Sequence, residues 1–292
     1  SRDAQPTFGG AARGKPPSGM RQWSVLVRRT FETLLRNKLT MAILLGAPAM
    51  VVVMFAILFH SNAFARRAPD PTTILMILFW ITFGSFFFGL TYGLLQIVTE
   101  RAILRREHLV GLRLGPYLLA KATVLLPFLV VVQVIMLGVL RVLDRLPAQS
   151  LATYASLGIT LTLVAGAALA IGLLTSAAVS TPSQATLALP MLCFPAVLFS
   201  GAILPVHLMA GVGVVISVLM PTRWGFEAVG HDLGVRLLLT HGGSPLGPPL
   251  VASYGSAGLR STGFYWLVLG AFVVASFAAA WLVLRRSATA HP

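Results

Sequence analysis

Charge is what this sequence has least of. Asp, Glu, Lys and Arg make up 10% of its 292 residues, against 57% hydrophobic residues and a mean hydropathy of +0.85. That balance is far from the one that solvates the surface of a water-soluble domain. The scarcity is also local. Six stretches, 39–59, 72–98, 122–140, 151–179, 186–204 and 262–284, contain no Asp, Glu, Lys, Arg or His. As helices, each is long enough to cross a hydrocarbon core about 30 Å thick. Strand-like alternation is missing, so a transmembrane barrel is not expected and backbone groups in lipid must be satisfied within helices. The expected fold class is all-α, a six-span polytopic membrane helical domain.

Other absences narrow the reading. One cysteine, Cys193, lies inside the fifth stretch, which excludes an internal disulfide and leaves core packing as its expected role. No early apolar core marks a removable signal peptide in the first thirty-eight residues, so the first span is expected to act as the insertion signal. Gly9, Gly14 and Lys15 match the start of a phosphate-binding loop, but Pro16 stands where Ser or Thr would hold Mg²⁺ and no strand precedes. No ATP or other cofactor is therefore expected to be bound by this chain itself.

The charge that is present clusters beside the span ends. Residues 1–38 hold eight Lys and Arg, 99–121 hold five and 285–292 hold two, against seven facing the other way: Arg66, Arg67, Arg141, Arg145, Arg223, Arg236 and Arg260. The positive-inside rule places both termini in the cytoplasm of a multi-pass protein of the plasma membrane. The net charge of +14 is expected to meet anionic lipid headgroups, not nucleic acid.

The chain divides into a Gly/Pro-rich linker or tail at 1–20, an amphipathic helix at 21–38, the membrane domain at 39–286 and a short cytoplasmic tail at 287–292. Trp23, Leu26, Val27, Thr30, Leu34 and Leu35 recur at helical spacing opposite Arg28, Arg29, Glu32 and Arg36. The fourth span is rich in small residues, among them Gly158, Ala165, Gly166, Ala168 and Gly172, which suits close helix packing. Pro190 and Pro195 are expected to bend or break the fifth. Between the fifth and sixth, 208–220 is apolar but too short to span and reads as a re-entrant segment, while 241–249 reads as an outer loop.

Spans without an ionisable residue offer nothing to titrate or to coordinate an ion, which argues against proton- or sodium-coupled carriage and voltage sensing. Energy then has to come from outside the membrane. The loop at 99–115 concentrates Glu100, Arg101, Arg105, Arg106, Glu107 and His108, and it is either a docking element for a soluble partner or a solvated face. A membrane-embedded enzyme is the rival reading. Its only polar constellation is His207, Glu227, His231 and Asp232, without a zinc-protease motif or a nucleophile elbow. A non-transporting scaffold is the third.

The loop carries more than charge. Glu100, Arg101, Arg106 and Glu107 form E-R-x-x-x-x-R-E, followed by Gly111, Pro116, Tyr117, Ala120 and Lys121 as G-x-x-x-x-P-Y-x-x-A-K. Phe199-Ser200-Gly201 and then Pro221, Arg223, Trp224, Gly225, Phe226 and Ala228 form a second block. Together these resemble the membrane domain of G-type ABC exporters, the White and pleiotropic-drug-resistance group, over about residues 20–286. The resemblance implies an exporter of amphipathic or lipid-like molecules, working as a homodimer and driven by an ATP-binding cassette domain that is either upstream in the same polypeptide or a separate subunit. It implies coupling to that ATPase through Glu100, Arg101, Arg105, Arg106 and Glu107. It implies a substrate cavity at Phe88, Ser85, Phe194 and Val197, with Phe86 and Phe87 as alternatives to Phe88, and an exit gate at Ala202 and Ile203, where the small Ala202 departs from the bulky plug of the group. The amphipathic segment would be its connecting helix. The Arg, Ala, Gly and Pro bias looks bacterial and actinobacterial, and some bacterial members carry phosphopeptide-binding FHA modules ahead of the ATPase.

Overall fold

The computed structural model describes residues 18–36, 38–65, 67–109, 111–255 and 257–289, and the regular structure among them is helical. The phosphate-loop-like run at Gly9 to Lys15 lies outside the described residues, as does 290–292. In chain order the helices are α1 (Gly19–Arg36), α2 (Lys38–Leu58), α3 (Pro71–Leu94), α4 (Arg101–Leu109), α5 (Leu114–Val142), α6 (Leu151–Ala178), α7 (Pro182–Leu198), α8 (Gly211–Val218), α9 (Pro221–Asp232), α10 (Val235–His241), α11 (Gly247–Ser253) and α12 (Thr262–Thr289).

Local chemistry starts the long helices where it should. Asp70 accepts from the Thr72 and Thr73 amides ahead of Pro71, Ser150 from Thr153, and Thr181 from Gln184 ahead of Pro182. Each such cap is worth about 1 kcal/mol. Among the described residues, four apolar stretches are long enough to cross a membrane: Pro71–Leu104, Leu114–Val142, Leu151–Ala178 and Thr262–Ser287. α2 has 21 residues and α7 has 17, while α8 and α9 meet at a 79° bend, as a broken span or a re-entrant loop would.

The bundle is built on backbone contact between α3 and α6. A Cβ added at Gly89 would lie 2.0 Å from the Ala165 carbonyl oxygen, one at Gly93 2.5 Å from that of Leu169, and one at Gly172 2.7 Å from that of Leu90. With no hydrophobic drive between helices in lipid, such approach is what gains van der Waals contact. Two buried clusters lie toward opposite ends of the helices. One joins Phe55, Phe59, Leu140, Leu157, Phe226 and Leu233, and the other joins Leu26, Leu34, Leu104, Tyr117, Ala280 and Leu284.

Several expectations need correction. The fifth span is shifted towards its N-terminus: α7 ends at Leu198, because Phe199, Ser200 and Gly201 form a turn and Gly201 has φ +80°. Of the bend or break expected at Pro190 and Pro195, the break does not occur, as the helix continues through both. The outer loop at 241–249 is partly helical, since Pro248 and Pro249 open α11, where their missing amides need no partner. Gly158 is not a packing glycine, as a Cβ there would meet nothing within 4 Å.

Candidate coupling interface and substrate-facing surface

The charged loop is a short helix bolted to three neighbours. The Ser176 hydroxyl at the end of α6 accepts from both the Ile97 and Val98 amides, each at 3.0 Å, which satisfies two backbone donors at the start of the turn Val98–Glu100 that leads into α4. Arg101 donates to the Val179 carbonyl, just before α7. On the other side, Gln22 of α1 donates to the Gly111 carbonyl and accepts from the Arg113 amide, so α1 clasps the turn that leads into α5. Gly111 is suited to that turn by its φ of +106°.

Two carboxylates anchor the ends of this unit. Glu100 accepts from Lys121 Nζ at 2.7 Å and from the Tyr117 hydroxyl at 2.9 Å, and the Lys121 side chain is only 3% exposed. Glu107 pairs with Arg29 of α1, and that hydrogen bond pushes the Arg29 guanidinium above its ordinary pKa. Both partners are a third or more exposed, so the pair adds at most about 1 kcal/mol; it aligns two helices more than it stabilises them. Arg106 is exposed on the same helix, and the Arg105 side chain lies outside the described residues. The roles of Ser176, Gln22 and Lys121 were missed from sequence. Only Lys121 left a signal there, as the last member of the motif that begins at Glu100.

The expected cavity residues do not share a surface. Phe88 is 2% exposed and packs inward beside Tyr92, Leu125 and Leu169, and Ser85 is fully buried, hydrogen-bonded to Gln133. Both lie inside the core of a single chain and cannot line an opening between chains, which corrects the choice of Phe88. The partly open face of α3 carries Trp80, Phe83 and Phe87, whose rings form a continuous ladder. On α7, Phe194 is 69% exposed beside the exposed Leu187, Met191 and Leu198, while Val197 is half-buried against the core. Ala202 is half-buried, its carbonyl accepting from the Tyr254 hydroxyl, and Ile203 is exposed.

The second motif fastens the bent helix pair. Thr222 donates to the Ala196 carbonyl and Trp224 to that of Val218, and a Cβ on Gly225 would strike Val164 and Thr82. Arg223 bonds Glu227 and Ser217 and stacks over Trp224. The rival constellation is dispersed by these bonds. Glu227 is held by Arg223 and Tyr265, His231 by the Gly258 carbonyl, and Asp232 by Ser156, Thr160 and Thr262, while His207 sits apart on the short turn at Val206–Leu208. Among the described residues no group of three or more His, Cys, Asp or Glu could hold a metal ion.

Residues 21–231, which take in nearly all of α1, the bolted loop and nearly all of the bent pair, match the family described as ABC-2 type transporter. The chain belongs to that family. Over an aligned stretch of 220 positions that covers 71% of the chain, it is 28% identical to an ABC transporter ATP-binding/permease protein of Mycobacterium tuberculosis. The chain spans about a quarter of that relative's length. The chain is a multi-pass membrane domain of the ABC-2 type, in which the motif residues Glu100, Arg101, Glu107, Tyr117 and Lys121 hold the loop and Arg223, Trp224 and Gly225 hold the bent helix pair.

Proposed function

We propose that this chain is the translocating half of an ATP-driven exporter of G type, moving an amphipathic or lipid-like molecule out of the cytoplasm or the inner leaflet. An ATP-binding cassette domain docks on α4 and α1, and two copies of the chain, six spans each, enclose the pathway in the plasma membrane with both termini cytoplasmic. The observation that carries this is the set of bonds that ties the loop to its neighbours. Its bonds to α1, α5 and α6 let a push at α4 move whole helices, which a loose solvated loop could not transmit. The fused ATP-binding and permease parts in the mycobacterial protein's name support an ATPase partner.

The pathway wall is formed by the Trp80–Phe83–Phe87 ladder and the exposed stripe of α7, with Ala202 and Ile203 beyond it. An aromatic and aliphatic wall selects apolar or amphipathic cargo. The test is Glu107→Lys in the assembled transporter reconstituted in vesicles. ATP-driven transport should be lost while membrane insertion and the melting temperature stay close to wild type. Normal transport by that variant would refute coupling through α4.

A further inference from the structure

The helix that carries the exposed stripe is held differently from its neighbours. Of the 17 residues of α7 only Ala185 and Ala196 are buried, whereas α3 buries sixteen of its 24 and α6 fourteen of its 28. Few buried contacts are what lets one element move against a packed body. Pro190 and Pro195 each remove an intrahelical hydrogen bond as well, which makes α7 easier to bend. The packed body beside it is α3 and α6, locked together by backbone approach at Gly89, Gly93 and Gly172.

Side chains from elsewhere tie α7 at both ends. Arg101, the first residue of α4, donates to the Val179 carbonyl. Val179 leads through Ser180 and Thr181 into α7, with extended backbone at Val179 and Thr181. The guanidinium of Arg101 is therefore turned to the link between α6 and α7 and not to a docked partner. At the outer end, the Ser200 amide bonds the Val197 carbonyl, at 3.4 Å, instead of continuing the helix to Ala196. That leaves the Ala196 carbonyl for Thr222, which is 1% exposed and donates to it at 2.6 Å.

We propose that Arg101 and Thr222 are positioning residues of the transport step. Arg101 carries a displacement of α4 into the start of α7, and the Thr222–Ala196 bond is the pivot about which α7 tilts along the pathway wall. The inference rests on the coupling reading above and adds which helix moves and what moves it. From Pro182 to Ala196 is about 21 Å along the axis, so a shift of about 2 Å at α4 tilts α7 by about 5°. Leu187, far from the pivot, then moves more than Leu198, which lies next to it.

The test places single cysteines in the assembled transporter on a Cys193→Ala background and compares maleimide labelling without nucleotide and with ATP plus vanadate. The sites are Ile103→Cys on α4 and Leu187→Cys and Leu198→Cys on α7, all exposed. Nucleotide should alter the rate several-fold at Ile103 and at Leu187, and far less at Leu198. Arg101→Met should abolish the change at Leu187 and keep it at Ile103, a split that lost docking or general loosening would not give. Arg101→Lys, which keeps a donor, should retain both changes, and Arg101→Ala serves should the methionine variant fail to fold. Thr222→Val should raise the change at Leu198 to that at Leu187. A change at Leu187 that survives the loss of Arg101, or equal changes at Leu187 and Leu198 in the parent, overturns the proposal. No change at Ile103 overturns the coupling reading and the relay with it, whereas a change at Ile103 with none at Leu187 sinks the relay alone.

Discussion

Glu100→Gln is the sharpest perturbation of the coupling unit. Lys121 is almost wholly buried, and without the carboxylate its ammonium keeps only neutral partners: the substituted amide's oxygen, Gln96 Oε1 at 3.4 Å and the Tyr117 ring. Stranding a buried charge costs about 3–5 kcal/mol. Glu100 itself is 29% exposed, so water reaches the pair and the lower end, about 3 kcal/mol, applies. The reverse change is far milder. Lys121→Met leaves Glu100 with the Tyr117 hydroxyl and partial hydration, and should cost no more than about 1 kcal/mol. The double variant should return to within about 1 kcal/mol of Lys121→Met, because the stranded charge is gone. At roughly 2–4 °C per kcal/mol for a chain of this size, Glu100→Gln should melt about 6–12 °C below wild type, Lys121→Met within about 4 °C of wild type, and the double variant within about 4 °C of Lys121→Met. The assay is a double-mutant cycle by thermal unfolding in detergent. If Lys121→Met proves as damaging as Glu100→Gln, or the double variant no better than Glu100→Gln alone, the buried-charge argument fails.

Gly89→Ala should prevent or severely impair folding, since its methyl would sit 2.0 Å from a carbonyl oxygen of α6, whereas Gly138→Ala should be neutral or stabilising by up to about 1 kcal/mol; expression and melting of the pair decide it. Phe87→Ala should reduce substrate-stimulated ATPase activity of the assembled transporter with little loss of stability. Phe88→Ala should instead destabilise by about 3–5 kcal/mol through a core cavity, and the opposite pattern would restore Phe88 to the pathway.

Much of the candidate site was legible because its chemistry is written in local order. The Glu100–Glu107 motif became α4, and its downstream Tyr117 and Lys121 proved to be the partners of Glu100. The Pro221–Ala228 motif became α9, whose glycine is required by contact with Val164. The facing of the aromatics on α3 was not legible. Phe86, Phe87 and Phe88 differ by about 100° each around the helix, and an apolar run in lipid has no polar side to fix its rotation.

By itself the sequence determined that the chain is helical and membrane-embedded, where α3 and α6 begin, and which loop carries the charge. Those features depend on apolar length, on caps such as Asp70 and Ser150, and on the scarcity of charge, all of which act within a few residues or by simple transfer to lipid. Only the tertiary structure decided which glycines are contacts and which are openings, that Phe88 is core, and that Ser176, seventy-eight residues from Val98 in sequence, holds the loop. It also dispersed Glu227, His231 and Asp232 into separate structural bonds. The physical reason is that these outcomes rest on backbone approach and hydrogen bonds between distant helices, and in a nearly uniform apolar sequence many rotations satisfy the same hydropathy while only one satisfies the contacts.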